Sequence, residues 1–176
     1  MSYRVGIVGA SPFALGSPGR APAPFQSEIV TTHAASLALV PRAEVVAVCR
    51  SRPEMPAEFN TAWAKRWPNV SLYTDHRDML AKESLDLVAV VAPDDSHVEV
   101  TVDAAEAGVK GIFWEKPMAT SLEEADRMIR VCENNRVVLT VDHTRRWNPL
   151  YHRVRDTVRS GAIGPLGAIV ATLGGE

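Results

Sequence analysis

Short apolar runs alternate along this chain with longer stretches in which apolar and charged positions recur at helical spacing. The runs predict strands at Arg4–Val8, Glu44–Cys49, Val70–Tyr73, Leu85–Val91, Gly111–Trp114 and Val137–Val141. Between them, amphipathic stretches predict helices at Ser27–Leu39, Pro53–Trp67, Arg77–Lys82, Val98–Ala107 and Leu122–Asn134. In the last of these, Ala125, Met128, Ile129 and Cys132 form the apolar side, with Glu123, Glu124, Arg127 and Arg130 opposite. Strand and helix in strict alternation predict an α/β fold, a Rossmann-like doubly wound parallel sheet whose ligand edge is the carboxyl end of the strands.

Two segments break the rhythm. Gly16–Pro24 is rich in glycine and proline directly after the first strand, where it interrupts helix and ladder alike. From Pro149 a helix is expected to Arg159, with Gly161 as its terminator, and Leu166–Leu173 reads as a strand without a partner. The expected division is a dinucleotide-binding domain over residues 1–140, then a linking segment and the incomplete start of a second, α+β domain over 141–176. An unpaired strand edge would favour association, so a homo-oligomer is expected.

Composition narrows the function. The 176 residues are 46% hydrophobic and 23% charged, with a formal net charge of -2. Without a clustered positive surface, nucleic acid is not an expected partner, whereas a dinucleotide needs only amides and one or two cations. Cys49 and Cys132 stand in a predicted strand and a predicted helix, so neither a disulfide framework nor a metal site is expected, and a reducing cytoplasm fits. No signal peptide or membrane span is visible.

The candidate chemistry gathers at the predicted strand ends. Val5-Gly6-Ile7-Val8-Gly9-Ala10-Ser11-Pro12-Phe13-Ala14 leads a strand into a glycine turn of the kind that brings backbone amides to a pyrophosphate. Gly9 holds the first glycine position, but Ser11 and Ala14 stand where the second and third belong, so the segment is equally compatible with a plain tight turn. Ser11 before Pro12 reads as a helix cap. After the second strand, Arg50, Ser51 and Arg52 occupy the place where an acidic residue normally meets the adenine ribose; two guanidiniums there suit a 2′-phosphate, or else form a solvated turn. Ala92-Pro93-Asp94-Asp95-Ser96-His97 follows the fourth strand, with Asp95 or Ser96 as the next cap. At the end of the fifth, Glu115 and Lys116 reach the same edge before Pro117 halts the ladder.

The Pro93-x-x-x-His97 pattern, Glu115-Lys116-Pro117, Asp142-His143-Thr144-Arg145-Arg146-Trp147-Asn148-Pro149 and Ser160–Leu166, in that order, closely resemble the Gfo/Idh/MocA oxidoreductases, the glucose-fructose oxidoreductase and inositol dehydrogenase family. The resemblance implies a nicotinamide-dependent oxidoreductase that exchanges a hydride with a sugar, polyol or related hydroxyl or carbonyl substrate. It implies that Lys116 is the catalytic cation near nicotinamide and substrate. It also implies a cofactor edge of Gly9, Ala10, Ser11, Phe13, Arg50, Ser51, Arg52, Ala92, Pro93, His97, Glu115, Lys116 and Pro117, with Arg146 and Trp147 closing over the nicotinamide end. The cofactor is expected to be NADP or NAD, the Arg50-Ser51-Arg52 cluster favouring NADP. The glycine pattern departs from the family, the Gly16–Pro24 loop lengthens the first crossover before His33-Ala34-Ala35, and the chain stops before the family's Asp-x-x-x-His pair, its usual general base. A non-catalytic dinucleotide-binding or assembly protein, and a scaffold that binds no nucleotide, therefore remain as alternative readings.

Overall fold

A computed structural model of the chain describes residues 2–9, 32–50 and 63–172. The molecule divides into two compact units, Met1–Asp142 and His143–Glu176. In the first, β1 (Tyr3–Val8), β2 (Ala43–Cys49), β3 (Ser71–Tyr73), β4 (Leu87–Val90), β5 (Gly111–Glu115) and β6 (Val138–Asp142) form one parallel sheet in the order β3-β2-β1-β4-β5-β6. Its helices are α1 (His33–Ala38), α2 (His76–Lys82), α3 (His97–Glu106) and α4 (Leu122–Asn135). The order reverses between β1 and β4, the switch point at which open α/β sheets form a ligand crevice.

The apolar runs of β1, β2, β4 and β5 are explained by burial on both sheet faces, whereas the edge strands β3 and β6 hold no buried residue. In β4, Val88 and Val90 face one cluster with Ile112, Trp114, Ala104, Met128 and Cys132. Ala89 and Val91 face the other, with Val5, Ile7, Val45, Ala34, Trp63 and Trp67. α4 starts at Ser121, whose side chain accepts a hydrogen bond from the Glu124 amide, and ends at Arg136 in the left-handed region at φ 58°. Its inner face is Met128 and Cys132 with Val131 alongside; Ile129, expected on that face, is 40% exposed. The helix is rotated toward positions 128, 131 and 132, which leaves Ile129 on the rim.

Several expected boundaries move. Ser96, not Asp95, is the N-cap residue of α3, but it makes no side-chain capping bond: its hydroxyl donates to the Pro93 carbonyl at 2.7 Å, because Asp94–Ser96 forms a 3-10 turn in front of α3. The described part of the first expected helix is α1, capped by Thr32, whose Oγ1 accepts from the Ala35 amide. Residues 27–31, most of the expected helix Pro53–Trp67 and the Gly16–Pro24 loop lie outside the described residues.

In the second unit, a 3-10 turn (Thr144–Trp147) precedes α5 (Pro149–Arg159), which Asn148 caps through its Oδ1 and the Leu150 amide. Gly161 follows the helix at φ 73°, the left-handed conformation that ends it without steric cost. The strand expected at Leu166–Leu173 is not formed over residues 166–172. A strand exists through its ladder, and no described segment pairs with this one, so apolar alternation alone leaves it irregular. The edge-pairing rationale for a homo-oligomer loses its footing with it.

Candidate functional site

The carboxyl edge of the sheet collects the expected residues from four strands. Gly9 follows β1 at φ 98°, its amide donating to the Cys49 carbonyl at 2.9 Å. A Cβ there would lie 2.4 Å from the Val91 carbonyl and the Ala92 amide nitrogen, so only glycine lets the β1 and β4 exits approach so closely. Ala10, Ser11 and Phe13, named for the phosphate turn, lie outside the described residues, as do Ser51 and Arg52. Arg50 follows β2, its amide fastened to the Tyr73 carbonyl at 2.8 Å. Its guanidinium Nη1 is buried with no hydrogen-bond partner among the described residues. A buried polar atom in that state is unusual and calls for an acceptor.

His97 opens α3 with no exposed surface. Its Nε2 lies 2.9 Å from the Ala92 carbonyl and its Nδ1 3.1 Å from the Pro117 carbonyl. The ring thus braces the loop after β4 against the turn after β5, where the Lys116–Pro117 peptide is cis. Behind it, Trp114 Nε1 donates to Thr101 Oγ1 at 2.8 Å, and that hydroxyl donates to the His97 carbonyl at 2.7 Å. His97 therefore touches the edge through two carbonyls, while Ala92 is half-buried and Pro93 exposed at the surface of that loop.

Glu115 ends β5 in register with Asp142, which ends β6. Both converge on His33 at the start of α1, buried at 5% exposure: Nε2 is 3.1 Å from Glu115 Oε1 and 3.8 Å from Asp142 Oδ2. The three ligand-type atoms lie within 4.8 Å of one another. The other Glu115 oxygen accepts from the Lys116 amide at 3.1 Å. Lys116 itself is exposed, and among the described residues no carboxylate pairs with its ammonium. Neither His33 nor Asp142 was singled out as a site residue from sequence; the available signal was an acid at each of two predicted strand ends.

Arg146 and Trp147 belong to the second unit. There Trp147 is 64% exposed and the His152 Nε2 donates to the Arg146 carbonyl at 2.6 Å.

A family model described as an oxidoreductase family with an NAD-binding Rossmann fold matches residues 3–143. The chain belongs to that family, Gfo/Idh/MocA. Among Gfo/Idh/MocA relatives, D-apiose dehydrogenase of Paraburkholderia graminis is 36% identical over 122 residues, 69% of this chain and 31% of that protein. D-xylose 1-dehydrogenase [NADP(+)] of Haloarcula marismortui is 33% identical over 92 residues, 52% of this chain and 25% of the relative. Scyllo-inositol dehydrogenase from Lactobacillus casei, solved with bound NAD(H) and scyllo-inositol, superposes with a TM-score of 0.69 at 26% identity, over 93% of this chain and 43% of that one. The matches thus span less than half the length of these Gfo/Idh/MocA proteins.

Proposed function

We propose that this chain is the dinucleotide-binding part of an NAD(P)-dependent dehydrogenase whose complete form acts on a sugar, polyol or related hydroxyl or carbonyl substrate. Residues 1–140 form the nucleotide domain in this reading, and 141–176 lead into a substrate domain. The observation that carries it is the placing of two cationic side chains on one sheet edge with unused donors among the described residues: Arg50, whose buried Nη1 has no partner there, and Lys116, whose ammonium meets no carboxylate there. Both stand on the ligand edge of a fold whose relatives are named as dehydrogenases of small sugars and inositols.

The residues present fit a dinucleotide. Arg50, with Ser51 and Arg52, would hold the adenine ribose end, and a guanidinium with a free buried donor suits a 2′-phosphate. That supports NADP over NAD, although the named relatives include both cofactors. Gly9, Ala10, Ser11 and Phe13 would approach the phosphates, and Ala92, Pro93, Glu115 and Pro117 would shape the nicotinamide edge, with His97 setting that shape through the Ala92 and Pro117 carbonyls. When bound, the nicotinamide supplies the hydride donor or acceptor. Lys116 does the chain's own part of the chemistry: its ammonium donates to the substrate oxygen and stabilises the negative charge that develops there. Two buried free thiols, Cys49 and Cys132, support a reducing compartment such as the cytoplasm.

Titration of the purified chain with NADPH and NADH, followed by nucleotide fluorescence, tests the reading. Saturable binding is expected, tighter for NADPH, with the gap narrowing as salt screens the phosphate contact. Absence of saturable binding for either nucleotide overturns it.

A further inference from the structure

Glu115 and Lys116 are neighbours at a strand end, where opposite charges ordinarily pair, yet here they do not. The reason lies at the two carboxylate oxygens. Oε2 accepts from the Lys116 backbone amide at 3.1 Å, and Oε1 faces the His33 imidazole, also at 3.1 Å. An ionised carboxylate accepts and does not donate. Because Nε2 faces Glu115 and, at 3.8 Å, Asp142, the ring proton on that side sits on Nε2 and is donated to Glu115. The imidazole is itself pinned. It leads α1, seats against the Phe113 ring at a centroid distance of 5.3 Å, and is 5% exposed. Phe113 and Glu115 project from the same face of β5, so the contact that seats the ring also sets its distance from the carboxylate.

We propose that His33 is a positioning residue that tethers the Glu115 carboxylate and so keeps the Lys116 ammonium unpaired and available to an oxygen of the substrate. Asp142, in register with Glu115 across β5 and β6, supplies the second negative charge that holds the Nε2 proton toward the strand ends. Among the described residues, the charged groups facing the ring are these two carboxylates, one from each strand end. The inference rests on the reading of Lys116 as the substrate-facing cation, but the tether itself exists without any nucleotide.

The test is the rate at which an amine-reactive ester modifies Lys116 in the full chain at pH 8, resolved by peptide mass spectrometry with Lys65, Lys82 and Lys110 as internal references. An ammonium engaged by a carboxylate reacts more slowly than a free one. His33→Leu is expected to slow Lys116 modification several-fold and leave the references unchanged. His33→Gln, whose amide N–H reaches about as far as Nε2, is expected to restore the rate. In the Glu115→Gln background, His33→Leu is expected to have no effect on Lys116. Asp142→Asn is expected to have a smaller effect than His33→Leu. Long-range 15N–1H spectra of the unaltered chain provide a check that needs no variant to fold, and the proton is expected on Nε2. A proton on Nδ1 alone, an unchanged Lys116 rate in folded His33→Leu, or an equal slowing with Glu115→Gln present overturns the proposal. So does stabilisation by added zinc that Asp142→Asn and Glu115→Gln abolish, which would make the cluster a cation site. None of these readouts uses nucleotide. Failure of NADPH and NADH to bind therefore sinks the functional reading alone.

Discussion

The two edges of the sheet carry the same kinds of side chain and treat them differently. At the amino edge, Arg4 reaches Glu83 at 2.8 Å and the Ser84 carbonyl at 2.9 Å, while its amide donates to Asp86 at 2.9 Å. Lys110 closes on the other Asp86 oxygen at 2.6 Å. At the carboxyl edge, among the described residues, Arg50 Nη1 is buried without a partner, Lys116 meets no carboxylate, and the acid beside it is turned to His33. Charges at the first edge are answered by the protein and serve the fold. Those at the second lack such an answer among the described residues, and on the function proposed above they would meet the nucleotide and substrate, since sites are where local consistency is given up.

Predictions that break or sharpen this contrast differ in size. Gly9→Ala should be the most damaging, since its Cβ would meet the Val91–Ala92 backbone at 2.4 Å in a positive-φ position. A loss of roughly 3 kcal/mol is expected in urea unfolding, and a loss within experimental error would mean the two strand exits are not in contact. Arg50→Met comes next and should act oppositely on the two observables. NADPH binding weakens about tenfold, the loss of one charge-assisted contact worth about 1.4 kcal/mol, while the unfolding midpoint stays or rises because an orphaned donor is gone. Arg50→Asp should further turn the preference toward NADH. Equal affinity before and after either change places the 2′-phosphate elsewhere.

A third prediction concerns the two thiols, both buried in the same apolar cluster. Burial pushes Cys49 and Cys132 up to about 11, with the Asp75 charge adding to the effect at Cys49. The unfolded chain sheds those protons from about pH 9 and the folded chain keeps them, so stability falls as pH rises from about 9 to 11. Below that window, neither thiol should react with a disulfide reagent at pH 8 until the chain is unfolded; rapid native reaction at Cys49 would show that the carboxyl edge is open to its base. The smallest effect is expected at the amino edge. The Lys110 ammonium, with the Arg4 amide, holds the Asp86 carboxyl below the usual range. That stability is present above the ordinary aspartate pKa and is lost as pH falls through the depressed one. Lys110→Met should therefore lower the midpoint slightly at neutral pH, flatten the acid limb of stability against pH, and leave nucleotide affinity untouched. Any change in affinity would join the two edges and undo the comparison.

Much of the architecture was legible because periodicity reports burial directly. The inner strands β1, β2, β4 and β5 are covered on both faces and so are apolar almost throughout, while the edge strands β3 and β6 were marked from shorter runs of strand-forming residues; Glu115-Lys116-Pro117 was correctly read as a strand end. Two of the three misreadings share a cause. Leu166–Leu173 has the alternation of a strand but no described partner, Ile129 has helical spacing but faces the rim, and Ser96 has the chemistry of a cap but spends its hydroxyl on Pro93. For the first two, what decided the outcome was a neighbour outside the local window, whereas the Ser96 hydroxyl is taken by a carbonyl only three positions back.

The same reason divides the site. By itself the sequence determined which residues arrive at the ligand edge, because a residue's place at a strand end follows from the local run that precedes it. Which of those residues are paired was decided only by the tertiary structure. The contact that turns Glu115 away from Lys116 comes from His33, 82 positions distant, and Asp142 joins it only because β6 lies in register beside β5. Pairing between charges depends on ångströms of separation in space, and no periodicity along the chain encodes that distance.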